Sequence, residues 1–423
     1  MAVATRYFQP AAATWVTSTA YAVGDYVLGT DNKNWRCILN HTSAAADRPI
    51  TGANYATYWE ECDGTTWNKR AALYAGSAWS AVITAFNFTS GADSLLCLIE
   101  GNKTYTITNT LTTASFTSGA PALARPLTFL GCDSSGVALS VPDGNWTSDQ
   151  AAYDTSSFPV LNTTTNIRTI TGSVNFIMRL IKFTASGSTT TGFVVSDCQL
   201  SWCYVLNSAS NTSSVAVASG ALENCVVEMS GSSYSHATAS AFIFNSRIIG
   251  NASATSGNRH GINTSGSNVV VVKSTFINNV GSGLLMTASP GSIRHIFQNT
   301  AHGNGYGIRL SSNAGQTSGN LIFGNYIAGS TTAGIDGQSQ GYAVIQSNRL
   351  RDNGTSGNFN ALAGNPLTTE VNYTTDSDDA SELVNVAGGD YRIKNTATIW
   401  GMGFGVSEEP PASSAGGSFA FIG

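Results

Sequence analysis

Short apolar runs alternate with small polar residues through much of the chain. Between about residues 197 and 353 these runs align so that one small or amide residue stays in register. The aligned residues are spaced 21 to 28 positions apart and are Cys198, Cys225, Ser246, Ser274, Asn299, Asn325 and Asn348. A period in the mid-twenties, built from short β-branched runs and Gly/Ser/Asn turns, predicts a solenoid of stacked coils.

A second marker follows the same period. It consists of a glycine and an aliphatic residue, at Gly261-Ile262, Gly283-Leu284, Gly307-Ile308 and Gly334-Ile335. Residues 98–107 alternate apolar and polar side chains, as does a half-buried strand, and residues 127–132 read as a further strand. A coil of about 25 residues has room for three short strands, each paired in parallel with its equivalent one coil later. The sequence therefore predicts an all-β fold.

The pattern changes along the chain in a way that predicts five regions. Residues 1–62 form a small, aromatic-rich β module, and residues 63–96 carry a helical pattern that would cap the first coil. Residues 97–360 form the solenoid, and residues 361–406 cap its other end, because an open end would expose unpaired strand edges. Residues 407–423 read as a flexible arm with an apolar tip, Phe419-Ala420-Phe421-Ile422.

Composition narrows the classes of partner. Charged residues make up 11 % of the chain, against about 25 % in typical soluble proteins. The net charge of −5 provides no basic footprint for nucleic acid. Apolar runs stay short of the roughly 18–20 residues of a membrane span, and the N-terminus lacks a secretion signal. We therefore expect neither nucleic-acid binding nor membrane insertion, and synthesis in a cytoplasm without export by that route.

The seven cysteines form no C-x-x-C pair. Cys198 and Cys225 fall at equivalent positions of the period, which suits buried thiols stacked in a core. Cys37 and Cys62 bracket the N-terminal module and either form a disulfide or remain free thiols. The absence of a signal for export to an oxidising compartment favours the free thiols.

Two segments resemble one fold family. The run from Leu98 to Gly131, with Gly101-Asn102-Lys103-Thr104-Tyr105, resembles the opening coils of right-handed parallel β-helix proteins of the pectate-lyase-like class. The run Gly389-Asp390-Tyr391-Arg392-Ile393 resembles the closing segment of the same class. The resemblance implies a right-handed, single-stranded parallel β-helix over roughly residues 97–405. It implies little about activity, because this fold hosts lyases, hydrolases, adhesins and structural spikes.

The N-terminal module resembles a second family. Its Tyr21-Ala22-Val23-Gly24-Asp25-Tyr26-Val27, Trp35-Arg36-Cys37 and Tyr58-Trp59 follow the pattern of small chitin-binding-type modules, relatives of which occur in phage tail and virion proteins. The resemblance implies carbohydrate binding by Trp35, Tyr58 and Trp59, whose flat rings would stack on a sugar. The alternative is that these rings are the core of a module too small to have another.

Candidates for chemistry are sparse in the repeats. A glycosidase needs two carboxylates about 5–9.5 Å apart, and the weak candidates are Asp197 and Glu223, which lie 26 residues, or about one coil, apart. The histidines His236, His260, His295 and His302 form no metal-ligand spacing, and residues 376–379 lack the pattern of a calcium loop. We expect no catalytic site, metal or cofactor.

Together these patterns predict a structural protein of a bacteriophage particle, made in the host cytoplasm and located in the virion. It would be a tailspike or tail fibre, or a decoration (cement) spike on the capsid. The expected partners are other capsid or tail proteins, two further copies in a homotrimer, and host surface glycans. Docking to a partner would involve Phe419, Phe421 and Ile422. The alternative is a tailspike polysaccharide depolymerase, either a lyase or a glycoside hydrolase.

Overall fold

The computed structural model describes residues 3–394, with gaps, and residues 396, 397 and 405. Gaps of four or more residues lie at 89–93, 164–169, 172–175, 187–192, 210–214, 255–258, 288–293, 311–319, 338–342 and 361–381, and shorter gaps occur elsewhere. The fold is all-β, as predicted. It is a parallel β-solenoid with small N-terminal β-sheets.

Three parallel sheets run the length of the solenoid. Sheet 1 has twelve strands, which are β1 (Val3–Gln9), β7 (Ala71–Ala72), β10 (Ser94–Glu100), β13 (Leu127–Cys132), β16 (Phe176–Arg179), β19 (Cys198–Ser201), β22 (Gly220–Glu223), β25 (Phe242–Phe244), β28 (Val269–Val272), β31 (Arg294–Phe297), β34 (Asn320–Phe323) and β37 (Ala343–Gln346).

Sheet 2 has ten strands, which are β11 (Thr104–Ile107), β14 (Val160–Thr163), β17 (Lys182–Ala185), β20 (Tyr204–Asn207), β23 (Val226–Met229), β26 (Arg247–Ile249), β29 (Thr275–Ile277), β32 (Thr300–His302), β35 (Tyr326–Ala328) and β38 (Arg349–Arg351). Sheet 3 also has ten, which are β12 (Leu111–Thr112), β15 (Ile170–Thr171), β18 (Phe193–Ser196), β21 (Val215–Val217), β24 (His236–Thr238), β27 (His260–Ser265), β30 (Ser282–Thr287), β33 (Tyr306–Leu310), β36 (Ala333–Asp336) and β39 (Phe359–Asn360).

Each coil contributes one strand to each sheet, and like residues stack on one another. The core is built of such columns, of which Leu222, Ile243, Val271, Ile296, Ile322 and Ile345 form one in sheet 1. Because every inward position repeats at the same phase, one contiguous apolar cluster fills the solenoid. This arrangement explains why the sequence shows a drifting period and no long apolar run.

The corner between sheets 1 and 2 accounts for the first repeat marker. At each of these corners the chain turns at one residue in the left-handed region, with φ between 43° and 68°. These residues are Leu180, Trp202, Asn224, Asn245, Lys273, Gln298, Gly324 and Ser347. The next residue points inward, and from Ser246 onward its side-chain oxygen accepts from the backbone N–H of the equivalent residue in the preceding coil. From Cys203 onward the corner series is Cys203, Cys225, Ser246, Ser274, Asn299, Asn325 and Asn348, all of them buried. The predicted member Cys198 is wrong, because it begins β19 and pairs with Gly220.

The second marker also has a steric cause. In sheet 3 the aliphatic partners Ile262, Leu284, Ile308 and Ile335 stack in register, as the spacing predicted. A Cβ on Gly283 would lie 2.8 Å from the Gly307 carbonyl oxygen, and a Cβ on Gly307 would lie 2.2 Å from Cγ2 of Ile327. The glycine column therefore lets the strands of sheet 3 approach sheet 2 closely.

Two segments cover the outer face of sheet 2. The first is the lateral loop, residues 133–159 between β13 and β14. The second is the C-terminal hairpin, β40 (Leu383–Asn385) and β41 (Asp390–Ile393). The Tyr391 N–H donates to the Asp149 carbonyl oxygen at 2.7 Å and so joins the two. The hairpin belongs to the predicted cap at 361–406, but it lies against the side of the solenoid. Residues 361–381 lie outside the described residues.

The N-terminal region departs from its predicted organisation. The module contains β2 (Ala20–Tyr21), β3 (Tyr26–Leu28), β4 (Asn34–Cys37), β5 (His41–Thr42), β6 (Trp59–Glu61), the helix α1 (Tyr55–Tyr58) and a 3-10 turn at Ala45–Asp47. Its predicted range, 1–62, includes β1, which instead pairs in parallel with β10 and β7 of sheet 1. The first strand of the chain therefore belongs to the solenoid.

The helical pattern at 63–96 forms little helix in the described residues. This segment contains a 3-10 turn at Trp67–Lys69, the hairpin β8 (Tyr74–Ala75) and β9 (Ala78–Trp79), and the one-turn helix α2 (Ala81–Thr84). Ala71 and Ala72 pair with β1, so strand pairing across the fold outweighs the helix preference of alanine. Leu73, Ile83 and Phe88 are buried in the solenoid core.

Candidate functional surfaces

The predicted sugar-stacking rings of the N-terminal module are mostly interior. Trp35 and Trp59 are 6 % and 2 % exposed and pack with Val27 and Cys37 in the core of the module. They are therefore placed to hold the three-stranded sheet β3–β4–β6 together, and neither presents a ring face that a sugar could cover. Tyr58 is half-buried and lies at the edge of this cluster.

A different set of rings reaches the surface of the module. Tyr21 and His41 are paired residues of β2 and β5, and both are half-buried. The His41 ring stacks on Tyr58 with centroids 4.3 Å apart, and Tyr21 lies 5.9 Å from His41. We call Tyr21, His41 and Tyr58 the aromatic patch. Exposed Val23, Ile38 and Leu39 lie near these rings in the sequence. The patch offers partly exposed ring faces, which suit the apolar face of a pyranose.

Cys37 and Cys62 are both free and buried, so the open question of a disulfide is resolved in favour of two thiols. Burial raises the pKa of Cys62 to about 12 and also raises the pKa of Cys37. Both are therefore neutral thiols at physiological pH, since the thiolate would need to be charged in an apolar setting. They are structural residues of the module.

Glu223, one of the two weak catalytic candidates, is exposed at the end of β22. Its register partner in the preceding coil is Ser201, so the spacing of 26 residues does not place Asp197 opposite it. Asp197 itself lies outside the described residues. Glu223 lines a groove of about 570 Å³ on the outer face of sheet 1 with Arg179, and it is the one carboxylate among the described lining residues. One carboxylate does not make a glycosidase pair.

A larger cleft, of about 660 Å³, lies between the lateral loop and the C-terminal hairpin. Its polar lining includes two carboxylates, two amides and two hydroxyls, from Asp154, Asp390, Gln150, Asn385, Ser140 and Ser157. Its aromatic lining consists of Trp146, Tyr153 and Phe158. The rings are almost fully buried and so present edges. The volume falls in the range of small-ligand sites. Neutral hydroxyl-rich molecules suit such a lining, because carboxylates and amides bond hydroxyl groups well.

The two carboxylates of this cleft are held in place by hydrogen bonds and an ion pair. The Ser156 backbone N–H, at 2.8 Å, and its hydroxyl, at 2.9 Å, donate to Asp154, and these bonds lower the pKa of that exposed carboxyl. Asp390 forms an ion pair with Arg392 at 2.7 Å. Both groups therefore act as hydrogen-bond acceptors, and the lowered pKa of Asp154 makes that carboxyl a poor general acid.

The cleft is supported by a buried polar network. Arg247 is 5 % exposed, and its Nη1 donates to the carbonyl oxygens of Ser148 and Gln150 at 3.1 and 2.6 Å. The guanidinium lies 5.4 Å from the Tyr391 ring centroid. Arg247 of β26 and Thr275 of β29, which bonds the Ser148 hydroxyl at 2.9 Å, thus fix the lateral loop. Nothing in the repeat period signalled this loop or its role.

The remaining predicted positions form no site together. His260 Nδ1 accepts from the Ser282 N–H at 3.0 Å, while His295 and His302 lie on different sheets, 1 and 2. Across the described residues no cluster of three potential metal ligands occurs, and no helix is long and apolar enough to cross a membrane. Residues 376–379 and the docking residues Phe419, Phe421 and Ile422 lie outside the described residues.

Comparison with known proteins returned no match, whether among family models, curated proteins or solved structures.

Proposed function

We propose that this chain is a non-catalytic structural protein on the surface of a bacteriophage particle, as a tailspike, tail fibre or capsid decoration spike. The observation that carries the proposal is a parallel solenoid with a small aromatic β module inserted between its strands β1 and β7. Such a body is rigid, and its backbone groups are paired coil to coil. These are properties that a spike exposed outside a cell requires.

The positions of the acidic side chains also fit a structural role better than a catalytic one. Glu382 is buried against Arg349 at 2.6 Å, and Asp336 accepts from Arg309 at 3.1 Å. These carboxylates neutralise cations that hold neighbouring coils and segments together.

Contact with host glycans is a further part of the proposal. The aromatic patch and the cleft between the lateral loop and the hairpin are the surfaces with suitable chemistry, in place of the predicted Trp35 and Trp59. Assembly as a homotrimer with other virion proteins as neighbours completes the proposal, because repeated glycan contacts on one particle raise avidity.

Labelling of intact particles tests the location. Gold-conjugated antibody fragments raised against residues 10–62 would be imaged on purified phage that encodes this chain. We expect discrete label at the tail or regularly over the capsid. Purified particles that carry neither label nor peptides of this chain would refute the proposal.

The second candidate, a polysaccharide depolymerase, is favoured by one observation: Glu223 and Arg179 share a groove on sheet 1. The test is incubation of purified protein with host surface polysaccharide, followed by assay of new reducing ends and unsaturated sugars. We expect neither product. Product formation that Glu223→Gln abolishes, and that the matched variant Glu61→Gln leaves intact, would favour the enzyme over the structural role.

A further inference from the structure

The outer face of sheet 1 changes character along the solenoid. In its early strands the outward residues include Arg179, Ser201 and Glu223, which pair in register. In its late strands, β25, β28, β31, β34 and β37, two outward columns stack coil on coil. One column is Phe242, Val270, His295, Leu321 and Val344, and the other is Phe244, Val272, Phe297, Phe323 and Gln346. We call these ten residues the apolar strip.

The apolar strip is accessible and carries no Lys, Arg, Asp or Glu. Phe242 is 45 % exposed, Phe323 is 38 % exposed, and the other eight side chains are half-buried. Its five strands span four steps of about 4.8 Å, or about 19 Å. A contiguous apolar patch rimmed by polar residues on a soluble protein marks a binding surface. Its occupant must be apolar and short enough to fit along or across five strands.

The described chain ends beside this strip. The Gly405 N–H donates to the carbonyl oxygen of Gly324 at 2.9 Å, and Gly324 directly follows Phe323. The last described residue, Gly405, therefore lies at the corner next to one edge of the strip. Phe419 lies fourteen residue steps after Gly405, and in extended form these steps reach about 46 Å. The strip is well within that distance.

The sequence of the chain end matches the strip in chemistry. It finishes in Phe419-Ala420-Phe421-Ile422 after Ala412-Ser413-Ser414-Ala415-Gly416-Gly417-Ser418, a composition typical of a flexible linker. In an extended segment Phe419 and Phe421 lie on the same side, two residues apart. The two outward columns of the strip have the same two-residue separation. The tip is uncharged, as the strip is.

We propose that the C-terminal tip, residues 419–422, docks on the apolar strip of its own chain. The tether makes this an intramolecular event at an effective concentration in the millimolar range, so a small apolar contact suffices. Burial of the two phenylalanine rings removes apolar surface of both partners from water. The tip thus covers a face that would otherwise promote association.

Photo-crosslinking in the full chain tests the site and the occupant together. Phe421 is replaced by p-benzoylphenylalanine, the dilute protein is irradiated, and crosslinked peptides are identified by mass spectrometry. We expect crosslinks to β28–β37 in species of single-chain mass. Crosslinks to the strip in species of double mass would overturn the assignment in favour of a second copy. Crosslinks to other parts of the chain, or no crosslinks at all, would show that the tip does not dock on the apolar strip.

A binding measurement separates docking from folding. A chain ending at Val406 is titrated with a fluorescent peptide of residues 413–423. We expect saturable binding that weakens about tenfold when the peptide carries Phe421→Ser or the chain carries Phe323→Ser. Because Phe323 points outward, thermal unfolding of that variant should match the parent. The control Val137→Ser removes an apolar side chain that is 63 % exposed and lies on the lateral loop. The proposal would be contradicted if Phe323→Ser left the affinity for the peptide unchanged. It would also be contradicted if Val137→Ser weakened the affinity as much as Phe323→Ser does.

Discussion

At the scale of single residues, the corner between sheets 1 and 2 sets the architecture. Each corner needs one residue in the left-handed region and then one short side chain that can bond inward. Asparagine suits the second position because its amide both donates and accepts. Asn325 Oδ1 accepts from the Asn299 N–H at 2.9 Å, and its Nδ2 donates to the Ile296 carbonyl oxygen at 3.0 Å and to Asn348 Oδ1 at 2.9 Å. The ladder therefore supplies partners to backbone groups that no strand could satisfy.

The variant Asn325→Ala tests this ladder. It leaves the Asn299 amide and the Ile296 carbonyl unpaired in the core, so we expect a loss of about 2–4 kcal/mol in the free energy of unfolding. Chemical denaturation followed by circular dichroism measures it. The control is Asn162→Ala, which removes one half-buried bond from Thr184 and should cost about 1 kcal/mol or less. Equal losses in the two variants would show that the corner amides are incidental.

The glycine column offers a second test at this scale. Gly307→Ala places a Cβ 2.2 Å from Cγ2 of Ile327 and 2.6 Å from the Gly334 carbonyl oxygen. Sheet 3 must shift outward to admit it, at a cost of about 1–3 kcal/mol. Gly144→Ala is the control, because a Cβ there meets nothing within 4 Å and should change stability by about 0.5 kcal/mol or less. Thermal unfolding of both variants decides. A Gly307→Ala protein as stable as the control would contradict the close approach of sheets 2 and 3.

At the scale of elements, the repeated strands were predictable from the sequence, but the packing of the lateral loop and the C-terminal hairpin on sheet 2 was not. Stacked coils impose a period on the sequence, which is why the Asn299, Asn325 and Asn348 series identifies the corners. The predicted assignment of Cys198 to that series is wrong because Cys198 and Cys203 lie five residues apart in one coil and both suit a buried position. The lateral loop has no repeat period, so the sequence did not indicate that it covers the outer face of sheet 2. For Trp35 and Trp59 the sequence left both core packing and sugar stacking open, because a small module can use the same rings for either, and the structure shows both rings in the core.

The C-terminal hairpin depends on one buried cluster. Glu382 accepts from Arg349 Nη2 at 2.6 Å and from the Tyr326 hydroxyl at 3.1 Å, and it lies 3.5 Å from Arg351 Nη1. Glu382→Gln leaves buried guanidinium charge without its counter-ion, which costs about 3–5 kcal/mol. We expect hydrogen exchange in β40 and β41 to accelerate while strands of the core keep their protection.

The control for the hairpin is Glu61→Gln. Glu61 pairs with Lys33 at 2.6 Å, but both side chains are more than a third exposed, so its loss should change stability by less than about 1 kcal/mol. Unchanged exchange in the hairpin of Glu382→Gln would show that Arg349 and Arg351 find other partners. It would also show that the lateral loop, through Arg247 and Tyr391, is sufficient to hold the hairpin.

At the scale of the whole molecule, the first strand of the chain is part of the solenoid. The strand β1 pairs over six residues with β10, from Val3 opposite Ser94 to Phe8 opposite Ile99. It thereby covers the edge that the first complete coil would leave open, while the module of β2–β6 projects from the solenoid between β1 and β7. An uncovered edge of parallel strands is a template for pairing with other chains. The N-terminus therefore protects the solenoid against association.

Two deletions distinguish this role of β1 from the role of the module. A chain that begins at Asp63 loses both, and we expect it to aggregate, because the Leu95–Ile99 edge is exposed. A chain in which a six-residue Gly/Ser linker replaces residues 12–62 keeps β1 and should match the parent in size-exclusion chromatography and in thermal unfolding. Because β1 meets β7 at Phe8 and Ala71, such a linker bridges neighbouring strands and imposes no strain. If both deletions behave alike, the module itself would be the cap, and strand pairing by β1 would be dispensable.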